Sequence, residues 1–358
     1  MSLIEIGLLE SIYHLTGLIL ELPTGAIADL YGKKFTIIIG RVISIISCIL
    51  MIVSHNFAGF AVAFILSSAS RNLHSGAAEA LIYDSLKALG EEKNYKKIWG
   101  SLAFYMFLSQ GLAVLSGGIL SDYKFLYAYI LGTVIQIGAL FSAFSFYEPD
   151  LPSLEVTGKE NKNLILSQLL TSIDVLKVRK MVLYLILFSS LVGSLHTTVF
   201  FYSQKYFSDL NYSKTLIALI CTFGSIIEAY ASKYAYKFER LLKLQGILIT
   251  VAFLNILALM GLDFIKDLSI IFFLLTSVTE GLGFTIFSDY INSRIPSEYR
   301  ATILSFDSLC FSLFMICVFP LFGFLAEKIS FSITFGLIAL LYIPVMSFLM
   351  LKLKKHEI

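Results

Sequence analysis

Gly25-Ala-Ile-Ala-Asp29-Leu30-Tyr31-Gly32-Lys33-Lys34 is a short polar interruption between two long apolar runs, 3–28 and 35–54. Its glycines permit a sharp turn and close backbone approach. Asp29 is placed to accept hydrogen bonds from open amides at a neighbouring helix N-terminus, and Lys33 and Lys34 fall where a negative inner leaflet favours cations. Further apolar runs follow at 57–85, 98–120, 125–147, 181–204, 213–234, 242–262, 268–293, 302–325 and 331–351, which makes eleven. About 20 apolar residues cross a bilayer as a helix. These runs lack the alternation of barrel strands, and in lipid each must satisfy its own backbone, so they read as membrane-spanning helices.

Composition agrees. Of 358 residues, 57% are hydrophobic and 15% charged, where a soluble domain carries about 25% charged residues. A mean hydropathy of +0.83 leaves little room for a large water-soluble domain. A net charge of +2 is too small to point to nucleic acid. No basic segment precedes the first apolar run, so no cleavable signal is expected. Cys48, Cys221, Cys310 and Cys317 lie inside apolar runs without a Cys-x-x-Cys pair and read as packing residues.

Basic residues set the expected orientation. Segments 29–34, 86–97, 148–180, 233–243, 294–301 and 352–358 hold 20 of the 27 lysines and arginines; the alternate connections hold 5. The positive-inside rule makes the first set cytoplasmic, the C-terminus included. The expected organisation is a bundle of five helices over 1–147, a cytoplasmic linker over 148–180 and a bundle of six over 181–358. Within the linker, Glu148-Pro-Asp-Leu-Pro152 breaks helix and 164–180 could lie amphipathically on the inner surface.

The turn at Gly25–Lys34 resembles the signature of the major facilitator superfamily, Gly-x-x-x-Asp-Arg-x-Gly-Arg-Arg/Lys. The chain matches at Gly25, Asp29, Gly32, Lys33 and Lys34, and Leu30 stands where the Arg is usual. The resemblance implies a two-bundle transporter in which this turn latches the bundles, with Leu30 weakening the latch. Arg71, followed by Gly76, resembles that family's fourth-helix motif and implies a proton-relay or substrate residue. The plain alternative is an arginine bracing helices through carbonyls. Gly100, Gly117 and Gly118 match an exporter motif in part, with Ser109, Ala113 and Val114 departing from it; close helix packing explains the glycines equally. Arg-Ala-Thr-x-x-Ser from Arg300 is also similar to bacterial members, with Arg300 gating, pairing with Asp289 or Glu298, or snorkelling.

One stripe needs no relative. Glu10, His14, Gly17 and Glu21 fall on one face of the first helix. Ionisable groups facing lipid are costly, so this face should turn to protein or a wet cavity. His196, Glu79, Glu228, Glu280 and Asp307 are further ionisable groups inside apolar runs. Glu10, His14, Glu21, Arg71, Glu79, Glu228 and Glu280 are therefore the candidate substrate or proton path. Gly25, Asp29, Gly32, Lys33, Lys34, Asp289 and Arg300 are the candidate gate.

The sequence has no His-Glu-x-x-His, Asp-Asp-x-x-Asp, Gly-x-Ser-x-Gly or P-loop pattern, which disfavours a membrane enzyme or an ATP-driven pump. No catalytic residue, metal or cofactor is expected. The reading is a multi-pass, monomeric secondary transporter of the cell membrane, with the lipid bilayer and a small molecule as partners and H⁺ as coupling ion. Efflux of a lipophilic compound leads; uptake of a small metabolite, or a truncated or sensing protein without transport, are the alternatives. Before the linker stand 147 residues and after it 178. That difference and an expected external N-terminus suggest that a first helix of the resembled fold is missing.

Overall fold

The protein is described by a computed structural model covering residues 1–91, 95–149, 179–295 and 300–356. Among these residues every long element is a helix. They are α1 (Leu3–Tyr31), α2 (Lys33–Val53), α3 (Phe57–Ala88), α4 (Tyr95–Tyr123), α5 (Phe125–Phe144), α6 (Lys180–Asp209), α7 (Lys214–Phe264), α8 (Ser269–Arg294), α9 (Arg300–Lys328) and α10 (Phe331–His356). Eight spans within them are long and apolar enough to cross a membrane. α3 and α4 fall outside that measure, the first because its second half carries Arg71, Asn72 and His74 among small polar residues.

Two boundaries differ from expectation. The runs 213–234 and 242–262 are two helices, together labelled α7, that meet at the non-helical Lys243, where φ is 55° and ψ 175°; the first of them runs on to Leu242. Residues 235–242 hold no Gly or Pro, so the helix continues through the polar stretch where hydropathy alone places a loop. Likewise α1 runs through Asp29 to Tyr31, and the expected turn narrows to Gly32, whose φ of 93° suits glycine.

The helices gather into two compact units. One comprises Met1–Leu8, Phe107–Ile119 and Ile165–Ile358; the other comprises Leu9–Met106 and Leu120–Leu164. The first unit has an extensive core rich in aromatic rings. Tyr202 stacks on Phe322 with centroids 4.8 Å apart, and Phe188 meets Phe287 edge-on at 5.4 Å. Three tyrosine hydroxyls in it donate to helix carbonyls: Tyr202 to Phe319 at 3.0 Å, Tyr206 to Leu262 at 3.2 Å and Tyr342 to Leu191 at 3.3 Å. The start of α1 belongs here too, because Gly7 lies flush against the backbone of Pro320 in α9 and the Leu3 amide donates to Glu327 at 3.0 Å.

The second unit has a thin apolar core around Ile37, Ala77 and Leu81. Polar ties join its helices instead. Ser47 donates to the Ala63 carbonyl at 2.8 Å, and Ser70 to the Gly40 carbonyl at 2.9 Å, both linking α2 to α3. In lipid, where apolar side chains gain little by leaving the solvent, small residues and such bonds are what hold helices together.

Candidate functional site

In the first unit α7 and α8 meet along a ladder of small residues. A Cβ on Gly224 would fall 2.8 Å from Ser277 Oγ, and one on Gly281 would strike the Glu228 backbone. One turn further on, Ser232 and Thr285 hydroxyls meet at 2.5 Å. Each pair is 53 residues apart in sequence, so this limb of α7 and α8 run parallel. Glu228 is thereby held in the tightest part of the interface and is 4% exposed.

His196 of α6, 7% exposed, brings Nε2 to 3.2 Å from Glu228 Oε1. Glu280 of α8 is near enough to interact electrostatically with both. Ser277 and the Thr276 backbone, both of α8, border Glu228 and His196 and tie the cluster to that helix. An imidazole with two nitrogens beside two carboxylates offers several atoms on which a proton can reside. Asp307 in α9 accepts from Ser190 of α6 at 3.3 Å.

In the second unit α1 and α3 form a comparable pair. Ser68 donates to the Tyr13 carbonyl at 2.7 Å and Asn72 to the Gly17 carbonyl at 2.6 Å, with 55 residues separating each pair. These helices are parallel as well. Gly17 thus belongs to a packing seam, since a Cβ there would sit 3.3 Å from Ser68 Oγ. His14, 8% exposed, lies 3.4 Å from Glu10 of its own helix. Arg71 is exposed, and one of its N–H groups reaches the Tyr13 hydroxyl at 3.3 Å. Glu21 is half-buried on the same helix.

The candidate gate is described in part. Lys33 pairs with Asp84 of α3. The Lys33 and Lys34 amides, at the start of α2, donate to the two carboxylate oxygens of Glu148 at 2.7 and 2.9 Å. A carboxylate on two open amides at a helix N-terminus is favourable on both hydrogen-bond and dipole grounds. Gly32 is required there, because a Cβ would come within 3.0 Å of Glu148 Oε2. Asp289 is exposed at the end of α8. Gly25 and Asp29 fall in the last turns of α1; the side chains of Asp29, Glu79 and Arg300, and all of Glu298, lie outside the described residues.

Sequence reasoning missed two groups. Glu148 reads from sequence as a helix breaker's neighbour, and nothing in the order of residues links it to Gly32. Arg41 of α2 joins three helices: it donates to Gln136 of α5 at 3.0 Å and approaches His74 Nε2 of α3 at 2.8 Å. A guanidinium only donates, so His74 Nε2 accepts and the ring proton sits on Nδ1. That atom is buried and makes no hydrogen bond among the described residues.

Comparison with known proteins follows from this all-helical, two-unit plan. The sequence matches the Major Facilitator Superfamily profile over residues 1–316. It is 24% identical over 368 residues to the uncharacterized MFS-type transporter YxaM of Bacillus subtilis (strain 168), covering 99% of this chain and 89% of that one. The nucleoside transporter NupG superposes with a TM-score of 0.76 at 14% identity, covering 99% of this chain and 91% of that chain. The D-xylose-proton symporter gives 0.75 at 12% identity, covering 97% and 87%. At those identities the two structures establish the fold, and the profile establishes the family, whose members are transporters rather than enzymes. The chain belongs to the major facilitator superfamily.

Proposed function

We infer that the chain is a proton-coupled secondary transporter working by alternating access of its bundles, 1–147 against 181–358, and that His196, Glu228 and Glu280 carry the coupling proton. The observation behind this is the buried ionisable cluster itself. A histidine and two carboxylates inside an apolar unit trade charge for protonation at little structural expense, because desolvation penalises whichever member is charged without a partner. The His196 ring, paired with Glu228 and close to Glu280, gives a travelling proton more than one site to occupy.

Arg71 is the proposed contact for substrate or relay in the second unit, since its exposed guanidinium is held by a single tyrosine hydroxyl among its described bonds. Export of a lipophilic compound is the favoured direction. It rests on the partial exporter motif at Gly100, Gly117 and Gly118. Uptake is the second reading, as the D-xylose-proton symporter of like fold couples substrate to protons by its name. The C-terminus, Lys33 and the 148–180 linker are proposed to face the cytoplasm.

The test is a proteoliposome panel. The reconstituted chain is given an inward or outward pH gradient with ethidium, a nucleoside or a pentose, and flux is followed with and without a protonophore. Gradient-driven ethidium movement that Glu228→Gln and Arg71→Ala abolish supports export; pentose or nucleoside entry supports uptake. Flux indifferent to the gradient and to the protonophore refutes proton coupling.

A further inference from the structure

The break in α7 carries an arrangement that transport does not account for. A 51-residue helix would extend about 76 Å at 1.5 Å per residue, against about 30 Å of hydrocarbon. The chain must therefore turn at the membrane surface, and Lys243 marks the turn. Just before it, Lys233, Lys237 and Arg240 fall within about 60° on one helix face. All three are exposed, while Ala235 between them is fully buried.

What sets this group apart is its density on one face together with the aromatic rings beside it. Lys33 is paired with Asp84 and Lys205 with Asp209. Lys233, Lys237, Arg240 and Lys243 have no ion pair among the described residues, and four basic residues face the single acid Glu239 over 233–243, a local charge of +3. Aromatic rings hold them in place. Tyr230 and Tyr234 stack at 6.4 Å, and Lys237 Nζ lies 4.7 Å above the Tyr234 ring. Lys233 Nζ approaches the same ring at 5.9 Å. Exposed Tyr236, Phe238 and Leu241 stand among the charges.

We propose that this turn is a binding site for the headgroup of an anionic phospholipid. Three cations on one face fit a phosphate, and each basic residue near a charged leaflet contributes about 1 kcal/mol. The interleaved apolar side chains select a lipid over a soluble phosphate, because they offer an acyl chain somewhere to lie beside the headgroup. Occupancy stabilises the turn and with it the packing of α7 on α8.

The experiment uses the full chain purified in neutral detergent and follows its thermal midpoint. Phosphatidylglycerol should raise it by about 2–4 °C, and phosphatidylcholine or inorganic phosphate should not. The combined variant K233Q/K237Q/R240Q should start from the same midpoint and lose the rise. K266Q, in the short turn that follows α7, should keep it. Should the triple variant not fold, a photoreactive phosphatidylglycerol in wild-type membranes should label the 230–243 segment above other helix ends. An equal rise with phosphatidylcholine or phosphate, a rise retained by the triple variant or lost in K266Q, no rise at all, or label spread evenly would each overturn the proposal.

Discussion

The α7–α8 pair and the α1–α3 pair use one device for two purposes. Both are parallel helices kept in register by small or polar residues at constant spacing. In the first, glycines bring the backbones together and a charged residue, Glu228, is sealed into the seam. In the second, serine and asparagine reach across to carbonyls, and the charged residue beside the seam, Arg71, stays open. The same packing rule thus produces a closed ionic cluster in one unit and an accessible cation in the other. Stability in the first unit should be concentrated in a few residues, and in the second spread over many weak ties.

The strongest way to break this comparison is His196→Ala. It leaves Glu228 buried without its histidine partner, and removing one member of a buried pair costs about 3–5 kcal/mol. Unfolding in mixed SDS micelles should register a loss of that order, while Glu228→Gln, which keeps the shape and removes the charge, should lose less stability but all gradient-driven flux. A smaller effect follows from Gly281→Ala. The new methyl meets the Glu228 backbone and the Ala231 Cβ at 2.8 Å, and overpacking of this kind costs about 1–3 kcal/mol. Gly117→Ala, with nothing within 4 Å, is its control and should change stability by less than about 0.5 kcal/mol.

In the second unit Arg41→Leu leaves His74 and Gln136 without the donor they share, at about 1–3 kcal/mol for unsatisfied buried groups. Flux should persist in that variant if Arg41 only braces helices. Last in size is Asn72→Ala. Interhelical hydrogen bonds in membranes are worth about 0.6 kcal/mol on average, so its stability should scarcely move, and a loss above about 2 kcal/mol would mean that the second unit, too, depends on single contacts.

Much of the fold was legible because lipid constrains sequence so strongly. A helix that must bury twenty residues in hydrocarbon announces itself by composition, and the family follows from Gly25, Asp29, Gly32 and the two lysines. What sequence hides is where helices end and which residues meet. Hydropathy stops where charge begins, so 235–242 read as a loop although those residues continue a helix to Lys243. Glu228 and Glu280 are visible as acids in apolar runs, yet their tie to His196 joins three helices and has no local signature. Arg41 and Glu148 were missed for the same reason: their partners lie 95 and 33 residues away in the one case and 115 and 114 in the other.

The central claim is that the His196–Glu228–Glu280 cluster exchanges a proton, and it can be tested without knowing the substrate. Infrared difference spectra of the reconstituted chain, taken between acid and neutral pH, report the carbonyl stretch of any carboxyl that gains or loses a proton. The account predicts such a band, absent or shifted in both Glu228→Gln and Glu280→Gln and unchanged in Asp289→Asn. A spectrum that keeps every carboxyl band in both cluster variants would contradict it.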